Sequence, residues 1–253
     1  MKSDRLLERF MRFIKRAGFL FLFLLLLLIA GFGQKIDIPS PLTDPGIGNG
    51  EHAVYRVKNK RGVFVIEDTV RISEDGRYYI IESHGRNTRK LLKLSRETMF
   101  PEQLDVFVDK TGYRIHSVKK LEYKKELKGN VIPIMSNFDS EYVLRGFPFV
   151  KPKTLVMDFM NESEGERSSN FEVSVHFAGK EDVDIGSRMI PCYVLEIKYK
   201  VTGIFFLFKS MFPQTKVWYS IQKPHYMVKY ENKGGQGDTG DMTILITDYL
   251  GWK

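Results

Sequence analysis

The sequence predicts a mainly β protein: a curved antiparallel sheet forming an incomplete or partly closed β-barrel, preceded by an N-terminal hydrophobic helix. Three observations predict it. Apolar and polar residues alternate with period two in segment after segment from Glu51 onward. Glycine-containing turn signals fall between those segments. An uncharged apolar run follows a basic N-terminus.

The N-terminal element comes first. Lys2, Arg5, Arg9, Arg12, Lys15 and Arg16 precede the run and are opposed only by Asp4 and Glu8. Residues 17–34 carry no charge, and Phe19 to Ile29 are all Phe, Leu or Ile. As a helix this run spans roughly 27 Å, against a hydrocarbon core of about 30 Å. The basic flank predicts that the N-terminus stays in the cytoplasm and that the rest of the chain lies beyond the membrane. Gly31 and Gly33, with Gln34 following, also fit a signal-peptidase site, so residues 1–34 fit either a signal anchor or a cleaved signal peptide. The location predicted is the inner membrane facing the periplasm, or the periplasm itself after cleavage.

Residues 35–50 read as a linker. Pro39, Pro41 and Pro45 break any helix, and Gly46, Gly48 and Gly50 loosen its end. The exported domain is then 51–253. Phe64, Ile66, Val70 and Ile72 share one face of a strand, against Glu67, Thr69 and Arg71. Tyr113, Ile115, Leu121 and Tyr123 oppose Arg114, His116, Lys120, Glu122 and Lys124. Phe171, Val173, Val175 and Phe177 oppose Glu172, Ser174 and His176. Tyr193, Leu195, Ile197, Tyr199 and Val201 oppose Glu196, Lys198 and Lys200, and Met242, Ile244 and Ile246 oppose Thr243 and Thr247. Such alternation marks antiparallel strands with one dry and one wet face. Glu74-Asp75-Gly76 and Lys110-Thr111-Gly112 predict tight hairpins, and Lys128-Gly129-Asn130 and Gly234 to Gly240 predict further turns. No long segment after residue 35 has helical period; Arg89 to Arg96 fit one or two helical turns.

Charge and chemistry narrow the function. Half of the net charge of +8 sits before the apolar run, which leaves the exported part nearly balanced and its bases interleaved with acids. That argues against a nucleic-acid partner. Cys192 is the only cysteine, so no internal disulfide forms, and its strand pattern predicts a small buried hydrophobe. His52, His84, His116, His176 and His225 stand at no metal-ligand spacing from one another. Glu181, Asp182 and Asp184 fit a charged turn better than a calcium loop. No Gly-x-Ser-x-Gly elbow, Walker loop or His-Glu-x-x-His occurs. The chain is predicted to be non-enzymatic, with no cofactor and no metal.

One segment breaks the alternation. Gly203 to Pro213 reads Gly-Ile-Phe-Phe-Leu-Phe-Lys-Ser-Met-Phe-Pro, apolar on both faces where a polar hairpin loop is expected. Ile204, Phe205, Phe206, Leu207 and Phe208 fit either a strand end buried under a lid or an apolar loop that gates a cavity or touches a membrane. Phe147, Pro148, Phe149 and Val150 form a shorter echo.

Two stretches carry a family resemblance. Gly50-Glu51-His52-Ala53-Val54-Tyr55-Arg56-Val57 opens the domain, ahead of Gly62-Val63-Phe64. Lys216-Val217-Trp218-Tyr219-Ser220 and His225 to Tyr230 come near its end. This layout resembles the exported bacterial proteins of domain-of-unknown-function family DUF3108, over roughly residues 50–250. Most of those proteins carry an Asp soon after the Trp, where this chain has Ser220-Ile221-Gln222-Lys223. The C-terminal layout is also similar to the lipoprotein-sorting carriers. That resemblance implies an incomplete barrel sheltering acyl chains, with no catalytic residues to transfer.

The expected function is therefore binding of a lipophilic molecule or acyl chain. The predicted lining is Phe64, Ile66, Tyr113, Phe171, Val173, Tyr193, Leu195, Ile197 and Trp218; the same residues equally suit a filled core. A structural protein docking an envelope partner through 203–213, and a hydrolase acting on envelope polymers, are the other functions that fit. The hydrolase would need a cleft holding two carboxylates with perturbed titration.

Overall fold

The computed structural model describes residues 40–110, 113–120, 129–159, 171–201, 213–234 and 241–250. All lie in the compact unit Pro39–Lys253. Residues 17–34 and 204–208 lie outside the described residues, and so do the hairpin tip at 111–112 and residues 121–128. Among the described residues no helix is long and apolar enough to cross a membrane.

The described chain forms one thirteen-stranded sheet. The strands are β1 (His52–Asn59), β2 (Gly62–Ile72), β3 (Tyr78–His84), β4 (Thr88–Ser95), β5 (Pro101–Lys110), β6 (Tyr113–Lys120) and β7 (Val131–Ile134), then β8 (Leu155–Phe159), β9 (Phe171–Asp184), β10 (Met189–Val201), β11 (Gln214–Ser220), β12 (Met227–Lys233) and β13 (Met242–Leu250). They run in the order β6-β5-β4-β3-β2-β1-β13-β12-β11-β10-β9-β8-β7, so β1 and β13 meet in the middle and the sheet is open between β6 and β7. One helix, α1 (Asn137–Val143), is followed by a short 3-10 turn, Leu144–Gly146.

The sheet curves around that helix. Side chains from widely separated strands converge on it: Asp68 of β2 on Tyr142, Lys90 of β4 on Phe138, and Tyr219 of β11 on the Glu141 carbonyl. The helix thus fills the concave side that the strands would otherwise leave open, and the inward half of each alternating pattern packs there. Val70, Ile81, Leu92 and Leu104 are cross-strand neighbours in one fully buried row. Burying such a row is worth about 1.5–3 kcal/mol per side chain before conformational entropy is subtracted.

Three expectations are corrected. Arg89 to Arg96 do not form helical turns. Arg89 to Ser95 belong to strand β4, where Lys90, Leu92 and Leu94 alternate inward, and Arg96 starts the turn that follows. The sheet is not wholly antiparallel, because β7 and β8 pair in parallel. Parallel neighbours need a crossover, and α1 with its 3-10 turn supplies it. Ile115 is 50% exposed, on the edge strand β6 where no further strand covers it among the described residues.

Helix α1 is too short to be stable alone. Its start is fixed by a capping box: the Ser136 side chain accepts from the Asp139 N–H, and Asp139 accepts from the Ser136 N–H and Oγ. Asp139 Oδ2 also accepts from the Met135 N–H at 2.7 Å. Burial pushes the Asp139 carboxyl up to about 6 against these donors.

Residues 40–50 have no regular structure, in keeping with their prolines and glycines, but they are tied to the domain. The Thr43 N–H donates to the Gly146 carbonyl at 2.9 Å. The Tyr79 hydroxyl donates to Asp44 at 2.6 Å and accepts from the Ile47 N–H at 3.1 Å. Leu42 and Ile47 are buried beneath. Gly146 leaves no room for a side chain, since a Cβ there would stand 2.8 Å from the Thr43 carbonyl oxygen and 3.1 Å from Met99. Gly146→Ala is expected to lift this strap and to cost about 1–3 kcal/mol in a denaturant titration. An unchanged midpoint would mean that the strap contributes nothing to stability.

Candidate functional site

The site is built from three cross-strand rows on the concave face. The first runs Tyr230, Ile244, Val57, Phe64. The second runs Ile246, Tyr55, Ile66. The third begins at Ala53 and continues Asp68, Ser83, Lys90. The first two rows are apolar and aromatic, whereas the third becomes polar where β2, β3 and β4 pass beneath α1. Asn137, Phe138 and Glu141 of the helix close the space from above. What remains is a cavity of about 180 Å³, partly open to solvent, with an apolar wall and a polar pole.

The polar pole is unusual for a β core. Asp68 is only 2% exposed. Its Oδ2 accepts from the Tyr142 hydroxyl at 2.7 Å, while its Oδ1 is buried and accepts no hydrogen bond among the described residues. Ser83 lies beside it and favours its charged form, but burial outweighs this and raises the Asp68 pKa. Leaving such an acceptor unmet costs about 1–3 kcal/mol. Burial, with the Asp68 charge adding to it, pushes Glu141 up to about 8. Lys90 Nζ stands 4.6 Å from the Phe138 ring centre and opposes both shifts.

Behind this pole lies a buried ion pair. Arg145 grips Glu51 through two hydrogen bonds, of 2.6 and 3.0 Å, and donates from Nε to the Pro224 carbonyl at 3.1 Å. The Tyr249 hydroxyl donates to the same carboxylate at 2.8 Å. Burial works against the guanidinium charge, but Glu51 outweighs it and drives the Arg145 pKa up. These bonds make the pair a structural tie between the start of β1, the helical turn and the loop before β12.

The residues predicted as lining are found in different surroundings. Phe64 and Ile66 line the cavity. Val173, Leu195 and Ile197 lie in closely filled core under β9 and β10. Tyr193 stacks on Phe149 at 4.5 Å and meets Phe177 and His225 edge-on. Trp218 alternates with the inward Tyr219 and pairs with Val194, so it faces the other side of the sheet. There its Nε1–H donates to Glu181 at 2.9 Å, and Lys229 lies over the ring. Tyr113 and Phe171 belong to β6 and β9, and their side chains fall outside the described residues, as do Ile204, Phe205, Phe206, Leu207 and Phe208. Phe147 and Phe149 are buried against each other. Cys192 is fully buried, and burial pushes its thiol up to about 12, so it is protonated. Among the described residues no group of three or more His, Cys, Asp or Glu side chains gathers as a metal site.

Asp68, Lys90 and Glu141 are the residues that sequence reasoning missed. A signal existed for the first: Asp68 interrupts the apolar series Phe64, Ile66, Val70, Ile72 at an inward position.

The sequence matches no known family profile and no curated protein. Among solved structures the chain is similar to a β-barrel-like protein of domain of unknown function DUF1849 from Brucella abortus, at 10% identity and a TM-score of 0.48, over 79% of this chain and 97% of that one. It is similar to the MucA/MucB complex structure from Pseudomonas aeruginosa at 8% identity and a TM-score of 0.37, over 83% of this chain and 54% of that one. A candidate lipoprotein from Parabacteroides distasonis is similar at 10% identity and a TM-score of 0.34, over 85% of this chain and 100% of that one.

Proposed function

We propose that this protein is a non-enzymatic binder of the bacterial envelope, held at the membrane through residues 17–34, that takes an apolar group into the cavity beneath α1. The observation that carries this reading is the cavity itself: a pocket on the concave face whose apolar wall is Tyr55, Val57, Phe64, Ile66, Tyr230 and Ile244. The resemblance of 50–57 and 216–230 to DUF3108 proteins, and to carriers that shelter acyl chains, supports the same reading. So does an apolar segment at 204–208 suited to touching a lipid surface or an envelope partner.

The volume limits the ligand. An apolar cavity of about 150 Å³ holds a benzene-sized molecule, and pockets for drug-sized ligands run to about 300–1,000 Å³. A space of about 180 Å³ therefore admits a ring or the end of an acyl chain, not a whole lipid.

The cavity also holds two carboxylates with raised proton affinity, which is what a hydrolase acting on envelope polymers would need. Two features favour recognition over catalysis. A polymer requires an open cleft, and this space is the size of a single small ring. Asp68 is buried in the wall of that small space, with its Oδ2 already engaged by Tyr142, so only a group small enough to enter the space could meet it.

Native mass spectrometry of the full chain released from detergent tests the reading. It should carry a co-purified lipophilic molecule, or take up a short-chain apolar probe. Ile66→Phe, which fills the cavity from β2, should weaken that uptake by about tenfold or more. A wild-type protein that arrives empty and takes up no probe would overturn the proposal.

A further inference from the structure

The apolar wall explains why something lipophilic enters, but not why a carboxylate is buried at the far end of the space. Asp68 sits in the middle of a strand whose other inward residues are Phe64, Ile66, Val70 and Ile72. Its Oδ1 is buried and accepts no hydrogen bond among the described residues. The Glu141 carboxyl lines the same space, and Ser83 and Asn137 add polar atoms to it. The one cation of this pole, Lys90, lies over the Phe138 ring. The space thus holds two acidic side chains, one of them with an unmet buried oxygen, against one lysine amine and beside an apolar wall.

We propose that this pole recognises a primary ammonium carried on a small apolar group, with Asp68 Oδ1 and Glu141 accepting its hydrogen bonds. The inference rests on the cavity being a binding site and adds the chemistry of the ligand's head. An ammonium brings three donors and a positive charge to acceptors that lack both. A carboxylate head would meet Asp68 and Glu141 with only Lys90 in its favour. A donor-free ether would leave Asp68 Oδ1 as unmet as it is in the empty cavity. The apolar body of the ligand would lie against Tyr55, Phe64 and Ile66.

Isothermal titration of the full chain in nanodiscs, with empty nanodiscs as the blank, tests this using benzylamine, anisole and benzoate. These probes share one ring and differ in the head. Benzylamine should bind about tenfold or more tighter than anisole, the step expected of a charge-assisted hydrogen bond in a buried site, and benzoate should not bind. Asp68→Asn should lower benzylamine affinity to that of anisole and leave anisole unchanged. Glu141→Gln, which alters the helix side of the pole only, should lower it in the same direction and guards against a folding defect in the first variant. Equal binding of benzylamine and anisole, or benzylamine binding that survives both substitutions, would overturn the ammonium site while leaving an apolar cavity in place. Binding of none of the three would overturn both readings.

Discussion

Arg145→Ala should cost about 3–5 kcal/mol of stability, enough to unfold much of the protein at physiological temperature. The substitution leaves the Glu51 carboxylate buried with only the Tyr249 hydroxyl as donor, and it orphans the Pro224 carbonyl. Glu51→Ala should cost a similar amount by stranding the guanidinium. The large loss comes from the uncompensated charge rather than from the attraction of the pair, since an intact buried ion pair repays little more than its own desolvation. Glu51→Leu combined with Arg145→Met should therefore recover most of the stability lost by either single alanine. Denaturant midpoints of the three variants check this. A double variant as unstable as Arg145→Ala would show that the pair's geometry, not its charge balance, holds β1, the turn and the loop before β12 together.

Stability should also fall as pH rises from 5 to 8. Burial and the neighbouring Asp68 charge push Glu141 from 4.5 up to about 8 in the folded state. The folded protein thus binds a proton that the unfolded chain gives up. The advantage is complete below about pH 4.5, shrinks through the interval where only the unfolded chain ionises, and is lost above about pH 8. Asp139, pushed up to about 6, contributes in the same sense over a lower interval. Glu141→Gln keeps the shape and removes the titration. It should raise stability at pH 8 by on the order of 4 kcal/mol, or about 8–16 °C in melting temperature, and change the value at pH 5 by less than about 1 kcal/mol. Melting curves of both proteins at the two pH values decide it. Parallel pH profiles would mean that Glu141 ionises freely through the cavity mouth.

Much of the fold was legible because a half-wet sheet writes its alternation into the sequence. Phe64 to Ile72, Tyr193 to Tyr199 and Met242 to Ile246 all face as their period predicts. The helix was not legible. Asn137-Phe138-Asp139-Ser140-Glu141-Tyr142-Val143 is seven residues long, too short for a period to emerge, and its burial comes from the sheet around it. Strand β4 is hidden for a related reason: Lys90-Leu91-Leu92-Lys93-Leu94 does not alternate cleanly, and a lysine at the inward position 90 looks like a break in strand pattern until a cavity is there to receive it. Trp218 shows a limit of periodicity. Its neighbours Val217 and Tyr219 are also large and apolar, so the run reads as dry on either face and only the pairing with Val194 fixes the side. The Gly50-Glu51 opening, quoted above as part of a family resemblance, has a physical role: Gly50 adopts a φ of +82° and Glu51 is the partner of Arg145.

A binding role requires that the space beneath α1 receive a ligand. Photolabelling the membrane-embedded full chain with a short alkyl diazirine, followed by peptide mapping, tests that most directly. The prediction is covalent label concentrated on the cavity residues Tyr55, Phe64, Ile66, Phe138, Glu141 and Tyr230, and suppressed by Ile66→Phe. Label confined to residues 17–34 and the outer surface, unaffected by Ile66→Phe, would contradict it and leave the sheet as a filled core around its helix.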